Sequence, residues 1–254
     1  MDEKLLSFFQ QQVDFDNAKS GTLDETDGYK CNKCKNKGWI ARLSEQGSEI
    51  KKDCECMKIR DTLKRAQRSG LGNILSDFTF EKFNDKYEWQ KDIKSKAKAF
   101  CEDDCAKWFF IGGQPGSGKT HLCTAISAFY IKAGYDVRYM IWREDGQRLK
   151  ALANSVDYTK NINYFKSADV LYIDDFLKTK QGEQPTAADI NLAFEIINHR
   201  LINSGEKITI ISSEKLLSDI LNYDEATASR IYQLTGDYKI YIPKDSKKNF
   251  RITN

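Results

Sequence analysis

The sequence is poor in proline, with 3 in 254 residues, and its 15 glycines do not dominate any segment. That excludes a collagen-like chain and a low-complexity linker protein. No run approaches the roughly 18 apolar residues that a membrane helix needs, so no membrane contact is expected. The start, Met1-Asp2-Glu3-Lys4, lacks a basic segment, a long apolar stretch and a small-residue cleavage site, and does not read as a secretory signal. Net charge is small as well, +3 from 40 basic and 37 acidic residues. What remains is ordinary for a soluble protein: 40% hydrophobic and 30% charged residues. The length suffices for one packed core and a small appendage. Seven cysteines, an odd number, without a signal segment point to a reducing, cytoplasmic setting. Cys101, Cys105 and Cys123 read as free thiols.

The charge is unevenly placed. Residues 1–29 sum to −5, residues 30–70 to +7 and the last eleven residues to +3. A basic block beside an acidic arm fits a polyanion or protein partner, and equally fits a solvated charged surface. Three parts follow. Residues 1–29 form an acidic arm in which Leu5, Phe9 and Val13, with Leu6 and Phe8 beside them, predict one short amphipathic helix. Such a helix must dock, on its own protein or on a partner, because it is too short to persist alone. Residues 30–70 form a cysteine-punctuated module with a basic helix over 58–70. Residues 71–254 form the main domain, opening with a loop that carries Leu71, Ile74, Phe78, Phe80 and Phe83.

From about residue 87, helical and strand patterns alternate, which predicts an α/β fold with a central parallel sheet between helical layers. Helices are expected at 88–103, 119–133, 145–153, 187–203, 214–221 and 226–234. Strands are expected at 108–111, 137–142, 169–173, 207–211 and 239–242.

Gly113-Gln114-Pro115-Gly116-Ser117-Gly118-Lys119-Thr120 matches the phosphate-loop pattern G-x-x-x-x-G-K-T. An apolar strand, Trp108–Ile111, precedes it. Leu122, Ala125, Ile126 and Phe129 follow at helical spacing. Glycines let backbone N–H groups curl around phosphate oxygens, and the helix N-terminus adds partial positive charge. Lys119 is expected on the β- and γ-phosphates of ATP and Thr120 on magnesium. Fifty-five positions after Lys119, an apolar strand ends in Asp174-Asp175. Asp174 is expected to face magnesium, and Asp175 to orient and polarise the attacking water. A fourth strand ends in Ser212-Ser213-Glu214, where Ser213 either senses the γ-phosphate or caps the next helix. Arg230 either reaches a neighbouring subunit's γ-phosphate or makes a surface ion pair.

Cys31 and Cys34 form a C-x-x-C pair, and Cys54 and Cys56 a C-x-C pair 20 positions later. Four thiolates in two clips fit tetrahedral zinc, with an iron–sulfur site or unrelated thiols as the alternatives; the metal is expected to be structural because no open ligand position is implied. A piece this small lacks the core to fold without it.

In these motifs together the chain resembles the bacterial and phage replicative helicase loaders of the DnaC/DnaI type, within the AAA+ ATPases and their IstB-like ATP-binding relatives. The resemblance covers about residues 30–254. It rests on Gly113 to Thr120 continuing as His121-Leu122, on Leu171 to Phe176, on Ile211-Ser212-Ser213, on Ser229-Arg230-Ile231 and on Asn249-Phe250-Arg251. The cysteine module with its basic helix looks like the helicase-binding front of the Gram-positive and phage members. The resemblance implies an AAA+ core and a nucleotide-binding set of Gly113 to Thr120, His121, Asp174 and Arg251. It implies Arg230 as an arginine finger in trans, Arg251 as a second sensor and Ser213 as part of the first. Glu214 stands where the family usually has Asn, and Lys178–Thr186 is a longer insert than expected, able to reach DNA or a partner.

The function so implied is an ATPase with slow hydrolysis that delivers a replicative hexameric helicase to single-stranded DNA, assembling as a homo-oligomer and releasing its cargo on hydrolysis. A transposition helper ATPase of the IstB type is the alternative. A small-molecule kinase is disfavoured by the absence of an acceptor pocket and an Arg-bearing lid. A non-enzymatic zinc module with a degenerate nucleotide fold is opposed by the intact Lys119, Thr120 and Asp174.

Overall fold

The computed structural model describes residues 3–180, 183–203 and 205–252, with side chains from residue 6 onward except Asn73. The side chain of Leu5 in the expected apolar stripe, and Gln181 and Gly182 of the insert, therefore lie outside what is described. Two compact units are present, residues 1–64 and 65–254.

In the first unit, α1 (Glu3–Ala18) and α2 (Leu23–Asp27) precede a hairpin of β1 (Trp39–Leu43) and β2 (Glu49–Asp53). The strands pair antiparallel, from Trp39 opposite Asp53 to Leu43 opposite Glu49. The sequence reading had no strands here. Helix α1 docks on its own unit: Val13 is buried. The Asn17 amide donates to the Ala41 carbonyl at 3.0 Å and accepts from the Ala41 N–H at 3.0 Å. One side chain thus imitates a strand neighbour and satisfies both backbone groups of Ala41. Phe8 and Phe15 stay exposed. Helix α3 (Cys56–Ser69) stops at Gly70, whose φ of +83° no helix continues.

The second unit is built on five parallel strands in the order β4-β5-β6-β3-β7. These are β3 (Trp108–Gly113), β4 (Val137–Ile141), β5 (Val170–Asp174), β6 (Ile208–Ser213) and β7 (Lys239–Ile242). Around them lie α4 (Glu88–Glu102), α5 (Lys119–Ala133), α6 (Trp142–Ala151), α7 (Tyr158–Lys166), α8 (Ala187–Ile202), α9 (Leu217–Leu221) and α10 (Glu225–Thr235). Every residue of β3, β5 and β6 is buried. Strands covered on both faces need apolar side chains on both, which is why they read as continuous hydrophobic runs. Alternate residues feed two cores. Trp108, Phe110, Leu171, Ile173 and Ile211 join one, with α6, α7, α8 and α10. Phe109, Ile111, Val170, Tyr172 and Ile210 join the other, with α4, α5 and the segment from Leu71 to Phe83.

Three expectations are corrected. Helix α6 begins at Trp142 rather than 145, because the Asp145 carboxylate accepts from the Ile141 N–H at 2.8 Å and fixes an earlier start. Helix α7 was not expected at all. Helix α9 begins at Leu217, not 214, since Ser213 is still in β6 and the Asp219 carboxylate accepts from the Leu216 N–H at 2.8 Å. Among the described residues, no helix is long and apolar enough to cross a membrane.

A candidate nucleotide site and a candidate metal centre

Parallel strands bring their C-terminal ends to one edge, and there β3, β5 and β6 end side by side. The loop from Gly113 to Gly118 joins β3 to the first turn of α5. A Cβ on Gly113 would lie 2.0 Å from the Ile242 carbonyl oxygen, and one on Gly116 would lie 2.1 Å from Asn249 Oδ1. The loop is therefore closed in by the chain's own C-terminal segment, and only glycine fits at these two places. Further bonds hold it there. Gln114 N–H donates to Ile242 O at 3.0 Å, and Phe250 N–H donates to Gly116 O at 3.1 Å. Gln114 Oε1 accepts from Asp245 N–H at 2.9 Å. Its Nε2 donates to Pro115 O at 3.2 Å, and Ser117 Oγ donates to Gln114 O at 2.7 Å.

Lys119 is buried, and its Nζ donates to the carbonyls of Gly113 at 2.9 Å and Gln114 at 2.7 Å. Burial pushes its pKa down to about 8, against the opposing pull of Glu214, Asp175 and Asp174. Thr120 Oγ1 donates to Asp174 Oδ1 at 3.2 Å, so the end of the loop and the end of β5 meet. Two more hydroxyls converge on the same carboxylate: Tyr139 at 2.9 Å on Oδ2, and Ser212 on Oδ1. Asp174 can thus offer an oriented oxygen toward a divalent ion beside Thr120, the arrangement that a hard cation bound with phosphate uses.

Asp175 has φ +54°, a left-handed conformation. Its N–H donates to Ser212 Oγ at 3.2 Å. Its carboxylate pairs with Lys178 at 2.9 Å, and Lys178 also pairs with Glu214 at 2.9 Å. Ser213 is placed differently from the expectation. Its hydroxyl donates to Phe176 O at 2.7 Å and accepts from Lys215 N–H at 3.1 Å. The β5–β6 register pairs Ile173 with Ile211, so Ser212, one residue on, stands level with Asp174. Strand alternation then sends Ser213 to the opposite face. It does not cap α9 either.

His121 Nε2 lies 2.7 Å from the Thr79 carbonyl, and its ring stacks on Phe78 at 4.9 Å. It binds the segment before α4 to the start of α5. Arg230 donates to Ala226 O at 2.7 Å and lies 5.0 Å over the Phe194 ring. Arg251 is exposed, with its Cγ 3.4 Å from the Cβ position of Gly116. Sequence reasoning missed the contacts of Tyr139 and Ser212 with Asp174 and the bridge made by Lys178. It also missed Tyr87 and Trp89, whose rings stack on Phe250 at 6.2 and 6.0 Å beside a cavity of about 540 Å³.

In the first unit, the sulfurs of Cys31, Cys34, Cys54 and Cys56 all lie within 4.8 Å of one another. Cys31 and Cys54 are 3.9 Å apart, and Cys34 and Cys56 are 3.6 Å apart. All four are free thiols. Four sulfurs about 2.3 Å from a tetrahedral zinc ion would stand about 3.8 Å from each other, so the set fits that ion. The Gly38 N–H donates to Cys34 Sγ at 3.3 Å. Burial raises the Cys34 thiol, but that amide and the neighbouring thiols outweigh it and bring it to about 7, whereas burial drives Cys56 up to about 12. Arg60 is buried beside Cys56, paired with Asp27 and donating to Tyr29 O at 2.9 Å.

Comparison with known proteins gives the family. Residues 50–230 match the family described as IstB-like ATP binding protein. The chain belongs to that family. It is 32% identical over 228 residues to the phage-like element PBSX protein XkdC of Bacillus subtilis (strain 168), covering 84% of this chain and 82% of that protein. It is 26% identical over 144 residues to the replicative helicase loader DnaC of Escherichia coli (strain K12), covering 54% of this chain and 58% of that protein. A crystal structure of the DnaC helicase loader superposes with TM-score 0.58 at 23% identity, over 67% of this chain and 99% of that one. The α/β fold with a central parallel sheet expected from the sequence is the fold shared with that loader. The IstB-like chain is thus an ATP-binding P-loop protein with the DnaC likeness that its motifs implied.

Proposed function

We propose that the chain is an ATP-dependent loader that delivers a replicative hexameric helicase to single-stranded DNA. The contact of Thr120 with Asp174, beside the buried Lys119, is the observation that carries the ATPase part of this reading. Thr120 and Asp174 would hold magnesium, which would supply positive charge to offset that of the phosphates. Lys119 would leave the loop carbonyls for the β- and γ-phosphates, and Thr120 and Asp174 would orient the metal's ligand shell. Asp175 would orient the attacking water. Arg230 would act on a neighbouring copy's nucleotide, and Arg251 on its own from beside Gly116. The aromatic cleft of Tyr87, Trp89 and Phe250 would receive the base.

The division into an acidic arm (1–29), a zinc and partner module (30–70) and an ATPase domain (71–254) belongs to the same proposal. Zinc on Cys31, Cys34, Cys54 and Cys56 would hold the module in shape. Support for the loader over the transposition helper comes from the DnaC relatives and from the cysteine cluster in front of the ATPase domain. The test is a pull-down with the host's replicative helicase, with and without ATP and single-stranded DNA. Retention that responds to ATP is expected. No retention under any condition, with a transposase retained instead, would favour the alternative.

A further inference from the structure

The edge that would hold the γ-phosphate is walled by three carboxylates, Asp174, Asp175 and Glu214. A triphosphate brings further negative charge into that wall, and like charges at close range disfavour it. The β3–β6 register pairs Gly112 with Ser213, so Glu214 follows level with Gly113, the first residue of the phosphate loop. An acid there needs a counter-charge. Lys178 supplies it: one ammonium bridges Asp175 and Glu214, at 2.9 Å each. Its placement is built in. Asp175 and Leu177 are both left-handed, with φ +54° and +55°. Phe176 and Leu177 are buried and anchor the turn, and the Lys178 N–H donates to Asp175 O at 2.9 Å. Two non-glycine residues in that conformation are a local cost that the surrounding packing must hold in place. The result turns Lys178 back over the site instead of outward with the insert. Burial pushes the Lys178 pKa down, but its two carboxylate partners outweigh that and keep it charged.

We infer that Lys178, by neutralising Glu214 and Asp175, is a specificity-determining residue that lets the site accept a triphosphate in preference to a diphosphate. The inference rests on the reading of the loop as a triphosphate site and deepens it. The γ-phosphate is the only part of ATP that ADP lacks, so removing Lys178 acts on ATP and spares ADP. A merely structural role would move both.

The test is calorimetric titration of ATP and ADP, each with magnesium, into the full chain and its variants. Lys178→Met is expected to weaken ATP by about tenfold or more, the scale of one lost charge interaction near a protein surface, and ADP by less than about threefold. Lys178→Arg should keep the wild-type ratio. Adding Glu214→Gln to Lys178→Met should return most of the lost ATP affinity, because it removes the acid that needed the lysine. Glu214→Gln alone, which leaves the turn intact, should tighten ATP and not ADP; it carries the test if Lys178→Met does not fold. Equal losses for ATP and ADP in Lys178→Met, or no shift of ATP in Glu214→Gln, would overturn the inference and leave the site reading standing. Failure of the wild-type chain to bind ATP at all would remove both.

Discussion

Residues 65–254 close on a sheet whose three inner strands are wholly buried, with apolar cores on both faces. Residues 1–64 gather instead around Cys34, Cys54 and Cys56, with Tyr29, Cys31 and Ile40 packed against them. The larger unit has enough apolar area to fold on dispersion and the hydrophobic effect. The smaller unit has a two-stranded hairpin, the buried Arg60–Asp27 salt bridge and four sulfurs that would repel one another as thiolates. On the reading proposed above, its order would depend on a cation at the sulfurs, whereas the strands of the larger unit need no ligand to stand side by side.

Metal removal breaks the comparison most severely. Structural zinc contributes on the order of 10 kcal/mol of apparent binding free energy in small domains. Stripping the metal with a chelator, or Cys54→Ser, is expected to open residues 1–64 to proteolysis and hydrogen exchange. Exchange protection in β3, β5 and β6 should stay unchanged. Equal loss in both units, or one zinc per chain retained by Cys54→Ser with no loss of protection, would sink the contrast.

A smaller effect sharpens the other side. Tyr139→Phe removes one of three hydroxyls that fix Asp174 while leaving the ring against Tyr172. Stability should change by less than about 1.5 kcal/mol, one net hydrogen bond. The magnesium concentration that half-saturates ATP binding should rise several-fold, as loss of a partner behind a metal ligand does. An unchanged magnesium dependence would show that Thr120 and Ser212 orient Asp174 without it.

Much of this was legible in the sequence, for physical reasons that differ by element. Strands β3, β5 and β6 showed because two-sided burial demands unbroken apolar runs. The loop from Gly113 to Thr120 showed because backbone wrapping around phosphate restricts residue type at fixed spacing. The four cysteines showed because few residue types form a closed tetrahedral set. Other features depend on tertiary structure. Helix α7 carries Tyr158, Ile162 and Phe165 at i, i+4 and i+7, a readable stripe hidden among polar neighbours. The hairpin of β1 and β2 has only Ala41 buried, so no alternation marks it. Whether Ser212 or Ser213 meets Asp174 is decided by strand register, which a pair of serines does not encode. The return of Lys178 over Asp175 depends on two left-handed residues, Asp175 and Leu177; aspartate is tolerated there, but leucine does not announce such a turn.

The central claim is that a triphosphate with its divalent ion binds between the loop at Gly113–Thr120 and the carboxylate of Asp174. Isothermal titration of ATP with magnesium into the full chain, beside Lys119→Ala, tests it most directly. The account predicts a saturable heat for the wild-type chain that disappears in Lys119→Ala, with the fold of the variant confirmed by circular dichroism. The same affinity in both proteins, or no heat in either, would contradict it.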